Sequence, residues 1–438
     1  MLIRKIAFIT AVLVVAATLG AADIYVCAAR GSNGNPGTMT EPLKNIDKAL
    51  GTAKAGDIIR VAGGNYFGLR GKGYLQAMHP VEIYGGYADD FKTRDILKYR
   101  TKIQPDNPSA AKSRKPLLTF MKSVKGQRIV VDGIIFDMGA RNSYSDSEGK
   151  PEGCDTGMLL LPPRFNRQRN DKPTVVEQCL RFPATAAAGD VLIQNCTFLN
   201  GAKFGIQAAH KDGTFRVLNN VFVANRMAAM EIYGTGGKKG PRGPTEKGGH
   251  VEIARNTILF SWSRLKDMKD MGYGIRVMTK LSYHIHHNII GLNVLTGVDH
   301  TRFNKNEWLK LDDNIFFMNK QAPLLYTERG QGMLERVALQ DFADLEFASI
   351  KGNTGTIPKG FPFHNAYLDG FLNVRYQETA DYNPDSAVNQ LREMVGLNKQ
   401  GKLNTRVSMF MNRYPLEHAL KLFGACKKAG AGTPSQTL

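Results

Sequence analysis

Residues Val191–Gly201 read VLIQNCTFLNG, and four later stretches align with them without gaps: Arg216–Arg226 (RVLNNVFVANR), Glu252–Trp262 (EIARNTILFSW), His284–Val294 (HIHHNIIGLNV) and Lys310–Lys320 (KLDDNIFFMNK). Each carries an asparagine followed five residues later by a polar turn-former, in the pairs Asn195/Asn200, Asn220/Asn225, Asn256/Ser261, Asn288/Asn293 and Asn314/Asn319. The repeats begin 25, 36, 32 and 26 residues apart. The short intervals fit one coil of a solenoid, and the long ones fit a coil with a loop inserted. In this alignment Leu192, Val217, Ile253, Ile285 and Leu311 form one apolar column, and Cys196, Val221, Thr257, Ile289 and Ile315 form another. Inward residues of successive coils stack, so such columns build a continuous core. Asparagine suits the corner because it tolerates left-handed backbone angles and its amide can bond to its equivalent in the next coil. Cys196 then reads as a buried, unpaired core thiol, and Ile129–Phe136 reads as an earlier coil. A β-propeller would show a periodic Gly/Trp signature, but the chain has two tryptophans, and independent sandwiches would not keep an asparagine column in register.

The composition agrees. In 438 residues, 45 are glycine, 15 tyrosine and 22 phenylalanine, with 42% apolar and 22% charged, which excludes a disordered polymer and a disulfide-stapled mini-protein. At the start, Met1–Lys5 is short and cationic, Ile6–Gly20 is largely apolar, and Gly20-Ala21-Ala22 offers small residues for cleavage. The apolar run is shorter than the roughly 20 residues of a spanning helix, so residues 1–22 are expected to be a signal peptide and the protein to be secreted, periplasmic or extracellular, with no membrane span. Export permits disulfides, and among Cys27, Cys154, Cys179, Cys196 and Cys426 the expected pair is Cys154–Cys179, which flank one irregular insertion. No CxxC or Cys/His spacing points to structural zinc.

Asp23–Val26 (DIYV), Gly31–Gly37 (GSNGNPG), Glu41–Leu50 (EPLKNIDKAL) and Ala55–Tyr66 (AGDIIRVAGGNY) resemble the opening segment of secreted right-handed parallel β-helix proteins of the pectate-lyase-like superfamily. Val81–Tyr87 (VEIYGGY), with Phe91 and Arg94, resembles the coil that follows. The resemblance implies an all-β fold, a right-handed parallel β-helix over residues 23–380 whose open end is capped by a short strand and an amphipathic helix. Leu43, Ile46, Leu50 and Ala53 supply the helical apolar face. From about residue 381 the pattern changes, and Asp385–Leu397 and Leu416–Lys427 are expected to be helices of a C-terminal cap that ends in a loose tail. The superfamily hosts lyases, hydrolases, epimerases and non-catalytic surface proteins, so the likeness specifies fold rather than activity. The chain lacks both the dense aspartate cluster of calcium-dependent pectate lyases and the Asp-Pro-His-Asp signature of alginate epimerases.

After each corner, a second strand aligns as Gly205-Ile-Gln207, Ala229-Met-Glu231, Gly274-Ile-Arg276 and Gly297-Val-Asp299. Alternation points Ile206, Met230, Ile275 and Val298 inward and sets Gln207, Glu231, Arg276 and Asp299 outward in one row, an arginine bracketed by carboxylates. The small residues beside the row would let a ligand approach the backbone. His300 and Arg302 follow Asp299, Lys203 and His210 share the first of these coils, and Arg226 and Tyr233 share the second. Basic insertions containing Lys238 and Lys239, and Lys266 and Lys269, leave the same face. A formal charge of +19 suits a polyanion, and the absence of a nucleic-acid motif ranks an acidic, uronate-containing polysaccharide above nucleic acid.

On such a polymer β-elimination or C5 epimerisation needs a cation at the carboxylate, a base for the C5 proton and a proton donor. Arg276, or a divalent cation such as calcium held by Glu231 and Asp299, would serve the first role; Lys203, Arg276 or His300 the second, given a lowered pKa; and Tyr233 or His210 the third. Gln207, His210, Arg226, Tyr233, Arg302, Lys238 and Lys239 would bind the chain. Hydrolysis by Glu231 and Asp299, adhesion without catalysis, and a charge ladder that only neutralises stacked strands remain as alternatives. His284, His286 and His287 could bind metal, with Asp312 and Asp313 on the next coil. The expected protein is a monomer.

Overall fold

The computed structural model describes residues 21–69, 73–105, 115–138 and, with short interruptions, 178–356. Residues 1–20 of the expected signal peptide, Cys154, Cys426, residues 262–271 and the expected C-terminal helices lie outside the described residues.

Among the described residues three long sheets dominate, of 10, 9 and 8 strands. Each coil gives one strand to each sheet in turn, for example Asp190–Gln194, then Thr197–Leu199, then Phe204–His210. Strands of successive coils pair in parallel, as Ile193 with Val217, Val217 with Ile253, Ile253 with Ile285 and Ile285 with Leu311. This is a parallel β-helix. A single apolar core runs its length, with Phe136, Phe198 and Phe222 stacked at centroid distances of 5.0 and 4.6 Å. Between stacked coils such rings add to the burial of their area.

The pairing corrects the first step of the repeat alignment by one residue. Leu192 pairs with Arg216 on the outer side, while Ile193 takes the inward column of Val217. Thr197 pairs with Val221, so Cys196 stands beside Asn220 instead of in the Val221 column. The corner itself divides two tasks that the alignment assigned to one asparagine. The left-handed residue is Asn195, Asn219, Arg255, His287 or Asp313, with φ between 53° and 56°. The residue after it builds the ladder. Asn220 Nδ2 donates to Asn256 Oδ1 at 3.0 Å, Asn256 to Asn288 at 3.0 Å, Asn288 to Asn314 at 2.9 Å and Asn314 to Asn353 at 3.0 Å. Cys196 heads this ladder with a thiol, which donates to Gln194 O at 3.1 Å, and its backbone N–H donates to Asn220 Oδ1 at 2.9 Å. A second ladder joins Asn293 to Asn319 at 2.8 Å. Because these amides are buried, every bond they make spares a desolvation cost of roughly 1–3 kcal/mol for an unpaired group.

At the N-terminal end the strand Asp23–Val26 pairs with Ile58–Ala62, and the helix Ile46–Thr52 buries Ile46, Ala49 and Leu50 in the core, joined by Leu43 and Ala53. At the far end Leu334–Val337 lies antiparallel on Ala322–Thr327 and covers that edge of the nine-stranded sheet. Cys27, Cys179 and Cys196 are buried and in no disulfide. The expected Cys154–Cys179 bridge is therefore not formed. Cys179 points into the apolar core, and burial drives its thiol pKa well up, so it fills space there. Among the described residues no helix is long and apolar enough to cross a membrane.

Candidate functional site

The nine-stranded sheet carries the predicted row. Gln207 pairs with Glu231, Glu231 with Arg276 and Arg276 with Asp299 in adjacent parallel strands. Parallel pairing in register sets neighbouring side chains roughly 4.8 Å apart, within reach of direct bonds. Gln207 Nε2 donates to Glu231 Oε1 at 2.8 Å, Arg276 Nη1 to Glu231 Oε2 at 2.7 Å and Arg276 Nε to Asp299 Oδ2 at 3.1 Å. Gln178 Nε2 extends the chain by donating to Gln207 Oε1. The Arg276 guanidinium also lies 5.5 Å from the Tyr273 ring centroid.

The row is not exposed as alternation suggested. Glu231 and Arg276 are each 7% accessible and Asp299 is 0%. Burial alone would lower the Arg276 pKa, but the attraction of Glu231 and Asp299 outweighs it and holds the pKa above its ordinary value. Arg276 therefore stays a cation and is excluded as a base. One oxygen of each carboxylate bonds the guanidinium and the other oxygen of Glu231 accepts from Gln207, so a calcium between Glu231 and Asp299 would have to displace Arg276.

The flanking small residues also have a different reason. A Cβ on Gly205 would stand 2.6 Å from Ala229 O and 3.0 Å from the Phe222 ring; on Gly274, 2.6 Å from Gly297 O and 3.0 Å from Ile290 Cγ2. The column faces the core where the strand leaves the corner, and it is small so that core side chains fit, not so that a ligand can approach.

Three other predicted contacts are withdrawn from solvent. His300 is fully buried against Tyr326, with centroids 5.1 Å apart, and burial lowers its pKa to about 3. Alternation from Asp299 turns it inward, which removes it as the base. His210 is buried edge-on to Phe215, its Nε2 is 3.2 Å from Gly213 O, and burial lowers its pKa. Arg226 is the largest fully buried side chain, set in the corner where its N–H donates to Gly201 O at 2.8 Å. Neither His210 nor Arg226 can touch a polymer.

Lys203 and Tyr233 remain half-exposed beside the row. Lys203 Nζ lies 5.7 Å from the Phe204 ring centroid, and burial raises the Tyr233 pKa, with Arg181 opposing and Glu231 adding to the shift. Lys239 lies on a two-stranded hairpin with Gly243–Pro244, and Arg302 ends the strand Thr296–Arg302; their side chains, and Lys238 altogether, lie outside the described residues. Sequence reasoning missed Gln178, Arg181 and Tyr273. Arg181 is exposed and precedes Gln207 in the same row, a place that alternation in Leu180-Arg-Phe182 could have revealed had the preceding insertion not hidden the coil spacing.

Residues 29–100 match the family model described as Protein of unknown function (DUF1565). No relative is found among curated proteins. Among solved structures, pectate lyase Pel9A is 13% identical, covering 79% of this chain and 84% of that one at a TM-score of 0.37. A rhamnogalacturonan lyase is 12% identical, covering 92% and 99% at a TM-score of 0.36. The architecture described above rests on this chain's own strand pairing.

Proposed function

We propose that the protein is an exported β-helix that holds an acidic, uronate-containing polysaccharide along the outer face of its nine-stranded sheet and retains it without cleavage. The observation that carries this reading is the self-paired chain from Gln178 to Asp299. Its polar groups bond one another and form a rigid floor whose two carboxylates outnumber its one guanidinium, while Arg181, Lys203, Tyr233 and Tyr273 stand half-exposed or exposed around it and supply the cations a polyanion needs. Cations attract the polymer's carboxylates, tyrosine rings offer apolar faces and polar tips to sugars, and a net charge of +19 draws polyanions from a distance. Retention is favoured over chemistry because Arg276 is held charged and His300 and His210 lie in the core, which removes most of the groups able to move a C5 proton.

A second reading keeps β-elimination or epimerisation, with Lys203 as base and Tyr233 as proton donor, since both remain half-exposed, on opposite flanks of the row. Affinity electrophoresis through polygalacturonate and alginate, with ultraviolet absorbance monitored for unsaturated product, separates the two. The expected result is retardation that weakens with salt, falls about tenfold in affinity (about 1.4 kcal/mol) in Arg181→Ala/Lys203→Ala, and brings no rise in absorbance. A rise that Tyr233→Phe abolishes would establish the lyase instead. If low salt gives neither retardation nor product with any uronan, the glycan reading fails.

A further inference from the structure

The outer side of the ten-stranded sheet carries a second polar cluster, and the function proposed above does not use it. The strand Ser282–His286 sets His284 beside Glu252 on the coil before and Lys310 on the coil after, and sets His286 between Ala254 and Asp312. His287 turns out of the strand in the left-handed conformation, φ 54°. His284 Nε2 is 3.1 Å from Asp312 Oδ2, and its ring packs on that of His286 at a centroid distance of 4.1 Å.

Each of the two rings that follow has a carboxylate beyond its Nε2, hydrogen-bonded for the first and farther off for the second. His286 Nε2 is 3.3 Å from Glu252 Oε1, and His287 Nε2 is 4.0 Å from Asp313 Oδ2. A carboxylate only accepts, so Nε2 of His286 must donate and carry its proton; the charge of Asp313 favours the same tautomer in His287. The His286 Nδ1 is then left as a lone pair, and the His287 Nδ1 is one as well in the tautomer that Asp313 favours. The two Nδ1 atoms face each other at 3.0 Å. Two lone pairs at that separation repel unless a cation lies between them. Two nitrogens bound to one tetrahedral zinc at about 2.0–2.1 Å stand roughly 3.3 Å apart, so the pair needs to open by only a few tenths of an ångström to take the ion. A carboxylate behind each imidazole is the arrangement that fixes a metal-ligating histidine and raises its basicity.

We propose that His286 Nδ1 and His287 Nδ1 form a two-imidazole site for a divalent transition metal of the zinc type, with Glu252 orienting the His286 ring and Asp313 adding negative charge beside His287. Nitrogen ligands select such an ion over calcium, which takes oxygen. The site is open: the side chains are 13% and 40% accessible, and among the described residues no group of three or more His, Cys, Asp or Glu side chains has metal-holding geometry, so water completes the coordination. His284 buttresses the His286 ring and is not a ligand.

Isothermal titration of the tag-free full chain with zinc chloride at pH 7.5 tests the site. The expected result is one saturable event per chain, weakened at least tenfold in His286→Ala and in His287→Asn, and about 10- to 100-fold in Glu252→Gln. Both replacements at the ligands suit the fold. Alanine already occupies the His286 column at Ala254, and asparagine occupies the left-handed column at Asn195 and Asn219. Unchanged thermal unfolding of metal-free His287→Asn keeps the comparison valid even if His286→Ala does not fold. Absence of saturable zinc binding to the wild-type chain would show that the imidazoles share only a proton, and equal binding by His287→Asn would place the ion elsewhere; either result overturns the site.

Discussion

Arg276 holds two carboxylates that have almost no access to water, and its own charge depends on them. Removing one member of such a buried set leaves an uncompensated charge, so Arg276→Ala is expected to cost about 3–5 kcal/mol in denaturant unfolding. Replacing Arg276, Glu231 and Asp299 together by methionine and leucines should recover most of that loss, because the desolvation cost disappears along with the attraction. If Arg276→Ala unfolds at the wild-type midpoint, the row is hydrated and the burial argument is wrong. His300 makes a pH prediction. Its folded pKa of about 3 lies below the ordinary 6.5, so below 6.5 the unfolded chain binds a proton that the folded chain refuses. Its contribution is therefore complete above pH 6.5 and is lost as pH falls toward 3, at up to about 1.4 kcal/mol per pH unit. Stability of His300→Phe measured between pH 7 and 4 should fall less steeply than wild type, and an identical slope would mean that the ring is reached by water.

At the scale of the strand and its corner, the coil is held by two kinds of repeat: apolar columns inside and amide ladders at the turns. The small column of Gly205, Ala229, Gly274 and Gly297 belongs to the first kind. Gly274→Ala would bring a methyl within 2.6 Å of Gly297 O, which as backbone of the next coil cannot yield. The expected cost is about 1–3 kcal/mol by overpacking, read from a melt; Ala229→Gly, one coil away, removes a methyl that already fits and should cost less than Gly274→Ala. An unaltered melt for Gly274→Ala would return the column to solvent and reopen it to ligands. Much of the element level was legible. The asparagine spacing showed where coils turn, and alternation placed Gln207, Glu231, Arg276 and Asp299 in one row. The first repeat slipped by one residue because Asn195-Cys196 and Asn219-Asn220 both offer an asparagine, and only strand pairing distinguishes the left-handed member from the ladder member.

Over the whole molecule, the cationic excess and the long flat sheets suit a polymer partner better than a small molecule, and retention on a uronan should weaken with salt because screening shortens the reach of the charges. The outer faces differ in character. One sheet presents the self-paired row with cations and tyrosines at its margins, and another presents the histidines between carboxylates. The sequence by itself determined the period, the stacked coils, the N-terminal apolar helix face and the membership of the charged row, since all of these follow from spacing along one strand. Only the tertiary structure decided that the row is buried, that His300, His210 and Arg226 are withdrawn from solvent, and that the imidazoles of His286 and His287 face each other. Alternation says which side of a strand a residue takes, but burial and pairing depend on what neighbouring coils place beside it, and that is a property of the packed solenoid.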